Sequence, residues 1–193
     1  MPRNTVTIVV KAPRRLVVAM IHALPAVLRG RAGVDTRLTD TVLVRMGLTV
    51  QRFTSQAFRQ KANGGADASG LYWKPLSRYT IQKKRRTAPA NAKKILREFN
   101  HLVTSLEPAL RPMNATPTPP VRPLQVFRLR PGQVTIGTSR PHANQHHTGR
   151  GRPLRRLWPH PRQWPNTWWS ELLNQTRMGT IAVLTTLLGG RTP

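Results

Sequence analysis

Cysteine is absent from the 193 residues, which excludes disulfides and thiolate metal ligands and leaves the redox compartment unread. Acid is almost as scarce: Asp35, Asp40, Asp67, Glu98, Glu107 and Glu171 are the whole set. They are scattered, with no pair close in sequence. Carboxylate-pair hydrolysis needs two facing acids and a Mg²⁺ site one or two, so most hydrolase and nuclease readings weaken. No G-x-S-x-G elbow is present to carry a nucleophilic serine. No apolar run reaches the length of a membrane span, so no membrane partner is expected. Apolar residues make up 38% and there are 18 prolines, which together allow only a modest core.

Positive charge is abundant. Lys and Arg number 32 against those six acids, for a net charge of +26. Such a chain resists its own compaction and attracts polyanions: nucleic acid, an acidic protein surface or anionic lipid.

The N-terminal segment reads as a strand, Thr5 to Lys11, rich in β-branched residues. A short helix is expected over the apolar run Leu16 to Leu24. Arg14 and Arg15 before that run give it a leader-like look. His22, Pro25 and the lack of a clear small-residue cleavage site favour strand and helix instead. A long helix is expected from about Thr36 to Lys61, capped by Asp35 or Thr36 with Asp40 near its positive end. Val42, Met46, Val50, Phe53 and Ala57 recur at three and four, one apolar stripe more fitting for core than for a ligand. Asn63 to Gly70, NGGADASG, then breaks the helix.

From Leu71 to Leu96 the chain holds Lys74, Arg78, Lys83, Lys84, Arg85, Arg86, Lys93 and Lys94 without a single acid. Tyr72, Trp73 and Tyr79 are interleaved with them. Basic residues mixed with aromatics grip phosphates and stack on bases. The blander reading is a solvated basic loop pinned to the core by a Trp. A shorter helix is expected from about Ala92 to Leu106, with Ile95, Leu96, Phe99, Leu102, Val103 and Leu106 inward. Residues 107–123 contain six prolines and read as an extended loop.

Leu124 to Thr138 alternates along two arms around Pro131-Gly132, a hairpin pattern. His142, His146 and His147 follow. Imidazoles this close raise the question of a zinc site, which needs three or four ligands. Pro141 before them and Gly149 and Gly151 after them leave room for little more than a turn, and no Glu is near to act as a base. A last helix is expected from Trp168 to Leu188, with Trp168, Leu172, Thr176, Val183 and Leu187 on one face, Gly189-Gly190 as its stop, and Gly179 as a weak point. Four of the five tryptophans fall between Trp158 and Trp169. They suit a contact surface and a packed core equally.

In order, these motifs resemble the phage virion morphogenesis family, the tail-completion proteins of Mu-like and related tailed phages. The family's long helix ends in a Gly-rich break. Its G-x-x-W-x-P-L-S-x-x-T segment matches Gly70, Trp73, Pro75, Leu76, Ser77 and Thr80. Its K-I-L matches Lys94-Ile95-Leu96, and its L-x-x-S matches Leu102 to Ser105. The strand ending V-x-I-G-T matches Val134, Ile136, Gly137 and Thr138. Its Y-A-x-x-H-Q-x-G turn is similar to His142, Ala143, His146, His147 and Gly149, with His for both Tyr and Gln. Its P-x-R matches Pro153 and Arg155. The resemblance spans about Arg37 to Leu188.

The resemblance implies an α+β fold in which long N- and C-terminal helices pack on a small antiparallel sheet, with the Pro-rich loop as an insertion. The expected layout is a strand and short helix over 1–34, the tail-completion-like domain over 35–188, and a tail over 189–193. It implies a structural protein of the virion neck, not an enzyme and with no cofactor, that completes the tail and joins it to the head. Its partners would be copies of itself, in a hexamer or similar ring, the tail tube or terminator, and the head connector. It would assemble in the host cytoplasm. His146 would be a structural turn residue. Lys83, Lys84, Arg85 and Arg86 would face DNA without reading sequence. The alternative is a free, sequence-independent nucleic-acid-binding protein. A His-dependent metalloenzyme ranks below both.

Overall fold

The computed structural model describes residues 6–11, 34–96, 101–108, 124–130, 132–149, 152–159 and 161–188. The chain is α+β. β1 (Val6–Lys11) is followed by α1 (Val34–Ala62), α2 (Arg78–Thr87), α3 (His101–Leu106), the hairpin β2 (Gln125–Arg130) and β3 (Gln133–Thr138), α4 (Pro141–Thr148) and α5 (Asn166–Leu188). The helix expected in Leu16–Leu24, residue Phe99, loop positions 109–123 and the Gly189-Gly190 stop lie outside the described residues. So do the side chains of Asp35 and Thr36.

The three strands form one antiparallel sheet in the order β1-β3-β2. β1 therefore pairs with the hairpin rather than standing apart from it. The register sets Ile8 and Phe127 on either side of Ile136, and Val10 and Leu129 on either side of Val134. Directly opposed residues point to the same face, so these side chains make one apolar surface, and α1 lies across it. Arg130 pairs with Gln133, leaving two residues for the turn, and Gly132 sits at φ 72°, a conformation that favours glycine.

α1 is buried on two sides. Its expected stripe joins Phe127, Val134, Ile136, Trp164, Trp168, Leu172 and Val183 in a core between sheet and α5. Phe53 stacks on Trp168 with centroids 4.7 Å apart. Further along, Phe58 and Ala62 belong to a second cluster with Trp73, Ile95, Val103, Leu106, Ala143, Leu157 and Trp158. Two glycines set how close the layers come. A Cβ on Gly47 would lie 3.0 Å from the Phe127 ring, and one on Gly179 would lie 3.1 Å from Val42 Cγ2 and 3.3 Å from its Cα. Gly179, a weak point by helix propensity, is thus where α5 crosses α1.

Three local expectations are corrected. The basic stretch is not a loop: Arg78–Thr87 is helical, with Ser77 as N-cap accepting from the Thr80 amide. The helix expected from Ala92 does not begin there: residues 92–96 form turns in which the Ile95 amide bonds the Ala62 carbonyl, and the described helix is His101–Leu106. The histidine segment is a two-turn helix, begun by Pro141 and closed by Gly149 at φ 75°. Proline suits a first helical turn, and glycine suits the left-handed position after the last.

Replacing Gly179 with Leu should separate α1 from α5 and destabilise the protein by about 1–3 kcal/mol, the usual cost of overpacking. Chemical denaturation of the two proteins measures it.

Candidate functional site

Several of the residues that carry the family resemblance, Trp73, Ile95 and Ala143 among them, lie around the C-terminal end of α1, whereas Val134 and Ile136 sit in the core between sheet and α5. α1 ends in paired turns: the Gly65 amide bonds the Gln60 carbonyl and the Gly64 amide bonds the Lys61 carbonyl, with Gly64 at φ 87°. This reversal brings Asp67 back beneath Lys61. The two form an ion pair at 2.8 Å, with side chains 1% and 0% exposed. Asp67 Oδ1 also accepts from the Ser69 amide at 2.9 Å, the Ser69 hydroxyl and the Leu71 amide at 3.1 Å. Lys61 Nζ donates to the Arg156 carbonyl at 3.1 Å and sits 5.1 Å from the Trp73 ring centroid. Trp73 Nε1 donates to the same carbonyl, also at 3.1 Å.

Burial pulls Lys61 below the ordinary lysine range, and Asp67 offsets this only in part. Burial also works against charge on Asp67, but the bonds from Lys61, Ser69 and Leu71 outweigh it and hold the carboxyl low. Neither residue stands out in the sequence. The one available signal is the position of Asp67, alone among the acids, between the glycines of NGGADASG.

The segment after α4 is held to the same place. The Arg155 amide bonds the His146 carbonyl at 2.7 Å, and the buried Arg155 guanidinium reaches the Lys74 carbonyl at 3.4 Å. His147 Nδ1 accepts from the Leu157 amide at 3.2 Å, and its ring meets Trp158 edge-on. His146 is buried. Its pKa is lowered first by burial, then by Arg155, Arg152 and His142, against a hydrogen bond to the Pro153 backbone. His147 is lowered by burial, then by Arg156 and Lys61. Among the described residues, neither His146 Nδ1 nor Arg155 Nε has a hydrogen-bond partner, and no three His, Asp or Glu side chains gather as metal ligands.

Thr138, fully buried, closes a hydroxyl chain. The Ser105 hydroxyl gives its proton to the Leu102 carbonyl, so Thr138 must donate to Ser105 at 2.8 Å while accepting from the Arg140 amide. Gly137 is buried beside it and Leu76 packs at the edge of the second core cluster. Gly149 caps α4 against Leu154, and Pro75 and Pro153 are exposed. The tryptophan question resolves by residue. Trp73, Trp158, Trp164 and Trp168 are buried. The indole of Trp158 donates to Thr54 and that of Trp164 to the Pro159 carbonyl, so these are core residues. Trp169 is 45% exposed.

The four expected DNA-facing cations divide. Lys83, Arg85 and Arg86 are exposed on α2. Lys84 is not available: it points inward, buried, and donates to the Lys94 carbonyl. One residue within a helical run of four must face the core, which a charge count cannot reveal. A shallow depression on α1 is lined by Arg52, Ser55, Gln56, Arg59, Gln60 and Asn63, and its two arginines already pair with Glu171 and Glu107. No described helix is long and apolar enough to cross a membrane.

Lys61→Met should cost about 3–5 kcal/mol, because it leaves Asp67 buried and uncompensated. Adding Asp67→Asn should recover part of that loss, a coupling that a denaturation double-mutant cycle detects. The depressed histidine pKa values give a second expectation. The unfolded chain takes up protons first, so stability is full above about pH 6.5 and is lost as pH falls from there toward the lower folded-state values. Melting temperature should drop by several degrees between about pH 7.5 and about pH 5, and His147→Gln should flatten that slope.

Compared with family models, curated proteins and solved structures, the chain gives no match.

Proposed function

We propose that this chain is a structural subunit of a phage neck, of the tail-completion type, and that it acts through subunit contacts rather than catalysis. The observation that supports the reading is the convergence of the ordered motifs. Trp73, Thr138, His146 and Arg155 lie far apart in the chain, yet each sits in the frame that locks α1, β3, α4 and the 153–158 segment together. Their side chains bond the backbone of other segments and, for Thr138, the Ser105 hydroxyl. That is the behaviour of a structural signature, in which spacing matters because the pieces must interlock.

On this reading the subunit needs no cofactor. It assembles in the host cytoplasm with copies of itself into a closed ring, a hexamer or similar, and takes its place in the virion between tail tube or terminator and head connector. The exposed cations would meet passing DNA by charge alone.

Light scattering coupled to size exclusion, at high salt and after nuclease treatment, tests this. A ring-sized oligomer, or assembly on addition of tail or connector protein, is the expected result. A stable monomer that ignores virion partners and binds DNA as salt is lowered would replace it with the free nucleic-acid-binding reading.

A further inference from the structure

We infer that Tyr72, Lys74 and the outer face of α2 form a binding surface for unpaired nucleic acid strands, without sequence preference. The inference stands apart from the neck reading, because it concerns one face of one subunit.

The chain has only two tyrosines, and both lie here. Tyr72 is 70% exposed and Tyr79 is 76% exposed, whereas four of the five tryptophans are buried. Neither tyrosine has a core task. On α2, Lys84 faces inward with Ile81 and Thr80 half-buried beside it. The outer face then carries Tyr79, Lys83 and Arg86 at i, i+4 and i+7, flanked by Arg78 and Arg85. Lys74 precedes the helix. Among the described residues, none of these five cations forms an ion pair or a side-chain hydrogen bond. No acid lies between Asp67 and Glu98, and Asp67, Glu107 and Glu171 pair with Lys61, Arg59 and Arg52. Among the described residues, no carboxylate therefore pairs with a cation of this face.

Helix stability does not account for the arrangement. Cations in the last turn of α2 complement its dipole, but Arg78 in the first turn and Lys74 before it oppose it. A polyanion relieves that repulsion at both ends. Two exposed rings among the cations add what phosphate binding alone does not use: a stacking surface, which accepts any base but only one that is unpaired. An anionic membrane would need an apolar stripe to insert, and this face has Tyr79 alone. An acidic peptide would satisfy the cations and leave the rings idle.

The test is fluorescence anisotropy on the full chain with an oligothymidylate of about 16 nucleotides and a duplex of equal length, over a salt series. The patch variant Lys83→Gln/Arg85→Gln/Arg86→Gln is compared with an off-patch variant of equal charge, Arg128→Gln/Arg130→Gln/Arg177→Gln, whose three arginines are also exposed. The patch variant should lose roughly tenfold or more in affinity at moderate salt and lower the salt slope by about two, with the off-patch variant far closer to the parent. Tyr72→Ala/Tyr79→Ala should weaken single-strand binding roughly tenfold and duplex binding much less, and the Phe pair should restore it. Equal losses from the two triple variants would mean diffuse attraction by net charge and would overturn the site. A Tyr-to-Ala pair that binds single strand as the parent does would overturn the assignment to unpaired strands. Circular dichroism melts of each variant establish that binding differences arise from folded protein.

Discussion

The folded chain depends on one buried cation. Lys61 leaves water at the end of α1 and is held by three partners: the Asp67 carboxylate, the Arg156 carbonyl and the Trp73 ring. An ammonium in such a place is tolerable only if all of them are present. Each comes from a different part of the chain. Asp67 requires the glycine reversal after α1, Trp73 the loop beyond it, and Arg156 the segment after α4. Satisfying one charge therefore fixes the relative position of three segments whose apolar side chains, Trp73, Leu157 and Trp158, share the second core cluster with Phe58 and Ala62. The geometry is specific in a way that apolar contact would not be, because a carbonyl and a carboxylate must both lie within reach of one nitrogen.

Around that point the molecule divides its labour. One side of α1 works by apolar packing against the sheet and α5, with Gly47 and Gly179 bringing the layers close. The other end adds to its own apolar cluster a set of hydrogen bonds among loops: the Asp67 turn, the Ser105–Thr138 hydroxyl chain and the two histidines that hold residues 153–158 to α4. The histidine pair illustrates the difference between residue type and role. One imidazole is buried and bonds the Pro153 backbone, and the other accepts from the Leu157 amide.

Periodicity alone makes much of this legible. The α1 stripe, the hairpin and the last helix follow from spacing, because one face of each is apolar and the other is not. The α+β class follows with them. The basic stretch was harder. Its helix has almost no apolar face, so the pattern that announces a helix is missing, and only the Ser77 cap marks its start. Lys84 and Lys61 were illegible for a related reason. A lysine is read as solvated by default, and burial of its ammonium depends on acceptors supplied by residues such as Lys94 and Arg156, which are distant or unremarkable in sequence. The tryptophans were ambiguous because an indole suits core and surface alike. Whether its N–H finds an internal acceptor decides between them, and that is a property of the fold.

The order of the strands bears on how the protein comes into being. β1 precedes α1, and the strand it pairs with is β3, which follows the other described elements except α4 and α5. During synthesis the first strand leaves the ribosome long before its partner exists. α1 can form in the meantime, since its bonds are local, but the surface on which it rests cannot. The sheet is thus a late event that gathers in its own beginning, and the growing chain must carry a bare edge and a large positive charge until then.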